Sequence, residues 1–195
     1  LYNNSGTALG PAQKANSNAG DAQEVTVTEM ADGRLLLVWS DHVFSDPPGD
    51  GSGASVWGRF LDPVTGNFSA RFDVNTTVSN DQSDPQVAAL PDGQFVVVWT
   101  DRSGADGSSY GVYGQRYDAG GTAQGSNFLI NTFTTNQQSD DAVASYTGGF
   151  AVVWTSQSNP GGNGFDIYVK RYDNAGAVVT AVLAFALLVA LAMFG

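Results

Sequence analysis

The sequence contains no cysteine and only one histidine, His42, among its 195 residues. Without cysteine, no disulfide bond can hold the fold, and thiol chemistry and cysteine-bearing metal sites are excluded. With one histidine, multi-histidine metal sites and most catalytic triads cannot be built within one chain. His42 follows Asp41 in a polar segment, which is typical of a solvated loop residue rather than of a general base.

Basic residues and glutamates are also scarce. The chain has 8 Lys and Arg against 19 Asp and Glu, a formal net charge of -11, and Glu24 and Glu29 are its only glutamates. This charge repels phosphate backbones and anionic lipids, so we expect no nucleic-acid partner. Because Asp favours turns and Glu favours helices, the predominance of Asp and the 24 Gly predict an all-β chain.

One segment of about 55 residues is present three times. Its best preserved parts are a tryptophan strand, LLLVWSD (35–41), FVVVWTD (95–101) and AVVWTS (151–156), and an aromatic strand, VWGRF (56–60), VYGQRY (112–117) and IYVKRY (167–172). A repeat of this length is a supersecondary unit that stacks on copies of itself. We therefore divide the chain into a first repeat at 1–59, a second at 60–116, a third with the start of a fourth at 117–176, and a hydrophobic C-terminal segment at 177–195.

Each repeat contains four short candidate strands separated by clusters of Gly, Asp, Asn and Pro. In the second copy they are FDVNT (72–76), PQVAALP (85–91), FVVVWT (95–100) and YGVYGQRY (110–117). Four strands with turns every 8–12 residues are typical of a propeller blade. The sequence thus predicts tandem four-stranded blade-like repeats, arranged as a partial β-propeller or an open stacked array.

The strand patterns also predict which side chains are buried. FVVVW is apolar without alternation, which indicates a strand covered on both faces. In VYGQRY the faces alternate, so we expect Tyr113 and its counterparts Trp57 and Tyr168 to pack between adjacent units. Three arginines align as one repeated position in this reading, and a structural ion pair or stacking role explains them better than catalysis: Arg59, Arg116 and Arg171.

The motif DPQVAALPDGQFVVVWTD (84–101) followed by GVYGQRYDAGG (111–121) resembles the repeats of large secreted or surface bacterial proteins that accompany calcium-binding haemolysin-type segments. The layout is also similar to the blades of sialidase-type propellers. Asp118, Gly120 and Thr122 match the core of the Asp-box turn of such blades. The resemblance implies a blade-like fold and an extracellular or cell-surface location, and it carries no catalytic residue because the Asp-box is structural.

Three blades do not close a propeller, which typically has four to eight. The missing blades then come from further sequence or from other copies of the chain, or else the units form an open array. An open end exposes sheet edges, which pair readily with another chain. We therefore expect the chain to associate with other copies of itself.

The loop after each tryptophan strand is a candidate calcium site. It carries Asp41 and Asp50 in the first copy and Asp101 and Asp106 in the second, whereas the third copy has no carboxylate at these positions. Two Asp and several Gly per loop supply the oxygen ligands that Ca²⁺ takes. A turn-forming role explains the same residues without a metal, because Asp-Gly is common wherever the backbone reverses.

Sequence patterns offer three possible glycosylation sites and no catalytic constellation. The sequons begin at Asn3, Asn67 and Asn75. Carboxylate pairs for glycoside hydrolysis could be drawn from the many Asp, but no pair is distinguished from the turn formers. We expect neither a catalytic residue nor a bound organic cofactor.

The fourth copy breaks off into AVVTAVLAFALLVALAMF (177–194), in which Thr180 is the only polar side chain. As a helix this segment would be about 27 Å long, close to the ~30 Å of a bilayer core, which favours a membrane anchor. Lys170 and Arg171 precede it and no basic residue follows, the reverse of the usual orientation for an external domain. The alternatives are burial in a neighbouring subunit, as a helix or an added strand, and an export signal.

These observations lead to two hypotheses of function. The first is a non-enzymatic extracellular structural or adhesive repeat protein that assembles with its own copies or is anchored through the C-terminal segment. The second is a glycan-binding or glycan-cleaving propeller fragment.

Overall fold

The computed structural model describes residues 5–8, 10–16, 21–42, 53–76, 79–157 and 164–180. These residues form eleven strands and no helix, so none of them provides a helix that could cross a membrane. The all-β prediction is confirmed. Residues 181–195, which make up most of the predicted anchor, lie outside the described part of the chain.

The strands form three antiparallel sheets that follow one another along the chain. The first contains β1 (Ala22–Glu29), β2 (Leu35–Asp41), β3 (Ser55–Leu61) and β4 (Phe72–Asp73). The second contains β5 (Gln82–Ala89), β6 (Phe95–Asp101), β7 (Gly111–Tyr117) and β8 (Phe128–Leu129). The third contains β9 (Gln138–Tyr146), β10 (Gly149–Gln157) and β11 (Phe165–Asp173).

Each sheet begins and ends at a different point from the predicted repeat. FDVNT was expected to open the second unit, but β4 within it pairs with β3 and closes the first sheet, with Gly58 opposite Phe72. Glycine is required there because a Cβ on Gly58 would collide with the Phe72 ring. Gly114 makes the same room for Phe128 and Ile130 in the second sheet.

Strand register also corrects the alignment of the arginines. Arg59 pairs with Leu37 on β2, whereas Arg116 pairs with Val96 on β6. When Trp39 is aligned with Trp99, Leu37 aligns with Val97, whose partner on β7 is Gln115. Arg59 therefore corresponds to Gln115 and lies on the opposite face from Arg116. Only Arg116 and Arg171 occupy equivalent positions.

Two apolar cores fill the spaces between successive sheets. Phe95, Val97 and Trp99 of β6 point into the first core, against the first sheet. Val96 and Val98 point into the second, against the third sheet. The predicted burial of β6 on both faces is therefore confirmed, and Tyr113 and Tyr168 pack against these cores as the alternation predicted. Trp57 was expected to do the same, but it belongs to neither core and is buried beneath the Arg71 guanidinium.

A buried amide pair links each sheet to the next. Asn75, after β4, accepts a hydrogen bond from the Val56 amide at 2.7 Å and donates to Oε1 of Gln82, the first residue of β5, at 2.9 Å. Asn131 and Gln138 repeat the link between the second and third sheets. Because both amides are buried, these bonds hold the start of each new sheet against the end of the previous one.

Candidate functional site

The strands that begin the three sheets, β1, β5 and β9, lie side by side. We call the row of three sheets the arc, and the edge formed by these three strands its inner edge. Near the start of each strand a β-bulge interrupts the register. An acidic residue with a positive φ occupies each bulge: Glu24 at 53°, Asp84 at 54° and Asp140 at 52°. A left-handed backbone is uncommon outside glycine, and bulges re-aim side chains, often beside functional sites.

Glu24 and Asp84 contact each other across the boundary between the first two sheets. The amide of Asp84 donates to Oε2 of Glu24 at 2.7 Å, and Oγ of Ser40 donates to the same oxygen at 2.6 Å. Burial and the neighbouring Glu24 charge raise the pKa of Asp84. Burial also acts to raise the pKa of Glu24, but the hydrogen bonds from Asp84 and Ser40 outweigh it and lower that pKa. Of the two carboxyl groups, Asp84 is therefore the more readily protonated.

Two adjacent carboxyl groups extend the cluster onto the third sheet. Asp140 is exposed and accepts a hydrogen bond from Oγ1 of Thr155 at 2.9 Å. Asp141 is buried, and its Oδ1 accepts from Oγ1 of Thr100 at 3.0 Å. Burial, with the charges of Asp84 and Asp140, raises the pKa of Asp141 to about 8. Asp141 is therefore mostly protonated at neutral pH.

An arginine and an aromatic side chain flank the carboxylates. Nη2 of Arg102 lies 3.4 Å from Oδ2 of Asp84, and its guanidinium lies 5.2 Å from the ring centroid of Tyr110. Both residues belong to the loop between β6 and β7 and are partly exposed. The cluster thus presents acceptor carboxylates, a cationic donor and a ring face to solvent, and we call Glu24, Asp84, Arg102, Tyr110 and Asp140 the acidic mouth.

Asp141 does not belong to the acidic mouth because it is 5% exposed.

The residues predicted to bind calcium serve mainly in turns where the structure describes them. Oδ1 of Asp101 accepts from the Ser103 amide at 2.7 Å, and Oδ1 of Asp106 accepts from the Ser108 amide at 3.1 Å. Asp41 is buried at the end of β2, and Asp50 lies outside the described residues. Across the described ranges no three acidic or histidine side chains are placed to hold a metal. Calcium binding stays a prediction, and no chemistry is derived from it.

The other predicted residues are placed in three different environments. Asn67 is exposed, Asn3 lies outside the described residues, and Asn75 is buried with its Nδ2 bonded to Gln82. His42 is partly buried, and its positive charge contributes to the lowered pKa of Glu24. Among the sequons with a described asparagine, Asn67 is therefore the accessible one.

Among the described residues, Arg59 and Arg116 of the repeated strands bind backbone carbonyls. Nη1 of Arg59 donates to the Ala15 carbonyl at 2.6 Å, and its guanidinium lies 4.7 Å from the Phe68 ring centroid. Nη1 of Arg116 donates to the Ala175 carbonyl at 2.6 Å. Arg116 thus clamps the turn that follows β11, in the neighbouring sheet.

Glu24, Asp84 and Asp140 were not singled out by the sequence. A signal was present, because Gln-Ser-Asp occurs at both 82–84 and 138–140 just before an apolar strand. In the sequence these segments are typical of a polar loop between strands. The positive φ of the three acidic residues, which places their side chains in the acidic mouth, is a property of the folded backbone.

No protein-family model matches the chain, and no curated protein matches it either. Solved structures do match its fold. They include a protein of unknown function from Dyadobacter fermentans (TM-score 0.55, 14% identity, covering 80% of this chain and 39% of that one). An endo-arabinase from Bacteroides thetaiotaomicron has a TM-score of 0.54 and 11% identity, with 85% of this chain and 61% of that one covered.

A sialidase named Hadza microbial sialidase Hz136 is similar as well, with a TM-score of 0.54, 11% identity and coverage of 80% of this chain and 36% of that one. The chain therefore spans from 36% to 61% of the length of these three proteins. Arabinanase and sialidase folds of this kind are β-propellers. The three sheets accordingly form part of a β-propeller, as the blade pattern predicted.

Proposed function

We propose that the chain is a non-enzymatic carbohydrate-binding segment of a β-propeller, with an adhesive role at an extracellular or cell-surface site. The observation that carries the proposal is the acidic mouth, where three successive sheets each contribute a bulged acidic residue. Carboxylates accept hydrogen bonds from sugar hydroxyls, Arg102 can donate to ring or hydroxyl oxygens, and Tyr110 offers a stacking surface. The glycoside hydrolase names among the similar folds support the choice of carbohydrate as ligand class.

The charge of the mouth selects among carbohydrates. The chain carries a net charge of -11, and the mouth holds one basic residue, Arg102, and three acidic residues, Glu24, Asp84 and Asp140. Sialylated glycans are anionic and would be repelled. Neutral oligosaccharides rich in hydroxyl groups, such as arabinan fragments, are the expected ligands.

Binding is tested by calorimetry or a glycan array with neutral arabino-oligosaccharides and sialylated oligosaccharides. We expect binding of the neutral set, and a loss of about ten-fold or more in affinity for Glu24→Gln and for Asp140→Asn, since each removes a charged acceptor. Asp92→Asn is the matched control, because Asp92 is an exposed turn residue at the opposite end of the second sheet.

Two outcomes would contradict the proposal. One is a preference for sialylated ligands, or affinity that is equal in the wild type and both mouth variants. The other is hydrolysis of a chromogenic arabinofuranoside that is lost in Glu24→Gln, which would make the chain an enzyme rather than a binding module.

A further inference from the structure

The third sheet has an apolar outer face that nothing covers among the described residues. Ile167 and Val169 of β11 are 82% and 63% exposed, and Phe165 on the same face is 62% exposed. Val153 of β10, opposite Val169, is 38% exposed. Exposed apolar side chains grouped on one strand face indicate an interaction surface.

The counterparts of this face in the second sheet are fully buried. Strand register makes Val98 the counterpart of Val153 and Val112 the counterpart of Ile167. Val98 and Val112 are both 0% exposed and pack against Phe150, Val152 and Trp154 of the third sheet. The outer face of the third sheet therefore has the position and composition of a sheet-to-sheet interface.

Two residues on this outer face are larger apolar residues than those at the equivalent positions of the second sheet. Val112 is replaced by Ile167, and Gly114, which makes room for Phe128 in the second sheet, is replaced by Val169. An exposed position in water gives no reason for larger apolar side chains.

The first sheet carries the complementary face at the other end of the arc. Leu37 and Trp39 of β2 correspond to Val152 and Trp154, which receive Val98 and Val112 in the interface between the second and third sheets. Trp39 is 3% exposed within one chain, and with Leu37, Ala15 and Val25 it lines a cavity of about 230 Å³, so the open part of this face lies at Val25 and Val27. Val25 and Val27 at the edge of this face are 69% and 59% exposed.

A polar contact accompanies the apolar one. Arg116 of the second sheet clamps the turn after β11 by donating to the Ala175 carbonyl. Its counterpart Arg171 is exposed on the third sheet. The corresponding turn of the first sheet, residues 62–66, is one residue longer, is closed by the Gly66 amide donating to the Asp62 carbonyl, and exposes 92% of Val64.

We propose that a second copy of this chain docks head to tail on these faces, with the third sheet of one copy packed on the first sheet of the other. The partner is a second copy because the chain already makes this contact twice internally, and its third and first sheets carry the residues that correspond to the two sides of that contact. The interface is heterologous, so two junctions related by a twofold axis close a ring of six sheets, within the four to eight blades of known propellers.

Native mass spectrometry and light scattering of the full chain test this proposal. We expect twice the chain mass of 20.3 kDa for the wild type. Ile167→Lys and Val27→Lys should each give monomers with unchanged near-UV circular dichroism, because both side chains are exposed. Val153→Lys is a second variant of the same outer face, and Ala123→Lys, on an exposed loop of the central sheet, is the control that should still dimerise.

Mixing the two face variants gives the decisive result. The Ile167→Lys copy keeps an intact first sheet and the Val27→Lys copy keeps an intact third sheet, so the mixture should form dimers with one junction and a Kd at least 100-fold weaker than the wild type. A monomeric wild type, polymers longer than two copies, or association unchanged by both substitutions would overturn the proposal. The sugar-binding assay is independent of this outcome, because the acidic mouth lies within one chain.

Discussion

Asp141 illustrates at the level of one residue how the inner edge of the arc is held together. It lies at the boundary between the second and third sheets, buried, with one oxygen bonded to Thr100. Its second oxygen, Oδ2, has no hydrogen-bond partner among the described residues. Such an arrangement tolerates a neutral carboxyl group and penalises an ionised one.

The pH dependence of stability follows from that preference. The pKa of Asp141 in the folded chain, about 8, lies above its ordinary value of 3.8. The stabilisation by the neutral form is therefore complete below pH 4, declines as the pH rises, and is lost once the pH passes 8. We expect a loss on the order of 5 kcal/mol between pH 4 and pH 8.5 from this group.

Urea unfolding at several pH values measures this effect. Asp141→Asn keeps an acceptor for Thr100 and should remove most of the decline, whereas Asp92→Asn, at an exposed turn, should leave it unchanged. An identical decline in the wild type and Asp141→Asn would show that other groups cause it.

At the scale of strands, the sequence predicted burial better than pairing. The unbroken apolar run of β6 indicated two covered faces, and the structure confirms them. The pairing of β4 with β3 could not be read, since a two-residue strand carries almost no pattern. The equivalence of Arg59 and Arg116 failed because VWGRF is one residue shorter than VYGQRY, which moves the arginine to the other face.

The acidic mouth was invisible for a related reason. The three acidic residues are brought together by bulges and by the side-by-side placement of β1, β5 and β9. Neither feature leaves a repeating hydrophobic pattern in the sequence from which it could be predicted, whereas a buried strand does. The loop aspartates that the sequence favoured for calcium instead accept hydrogen bonds from amides two residues ahead, as Asp101 and Asp106 do.

The glycine positions under the short outer strands give a prediction at this scale. In Gly58→Val the new side chain would occupy the space of the Phe72 ring, so we expect a loss of roughly 1–3 kcal/mol in the free energy of unfolding. Val169→Gly, at the counterpart position in the third sheet, should cost less than about 1 kcal/mol in the monomer, because Val169 is exposed.

Denaturant unfolding of both variants in the Ile167→Lys background keeps the comparison monomeric. Equal losses for Gly58→Val and Val169→Gly would mean that Phe72 does not depend on the room left by Gly58.

At the scale of the whole molecule, charge opposes association while apolar faces favour it. Each copy carries a net charge of -11, so two copies repel one another over distances that salt shortens. We expect the Kd of the wild-type dimer to fall roughly three- to ten-fold between 20 and 300 mM NaCl.

Analytical ultracentrifugation across this salt range provides the measurement, with sodium sulfate avoided because it also strengthens apolar association. A Kd that rises with salt would indicate that ion pairs, and not the apolar faces of the first and third sheets, hold the copies together.

The amide pairs between sheets also have a consequence for folding order. Asn75 and Gln82 are seven residues apart, as are Asn131 and Gln138. The hydrogen bond that joins each sheet to the next is therefore made by residues that can meet early in folding. Contacts between residues close in sequence form with little loss of chain entropy. Each finished sheet can therefore serve as the template for its successor, and we expect folding to spread along the chain one blade at a time.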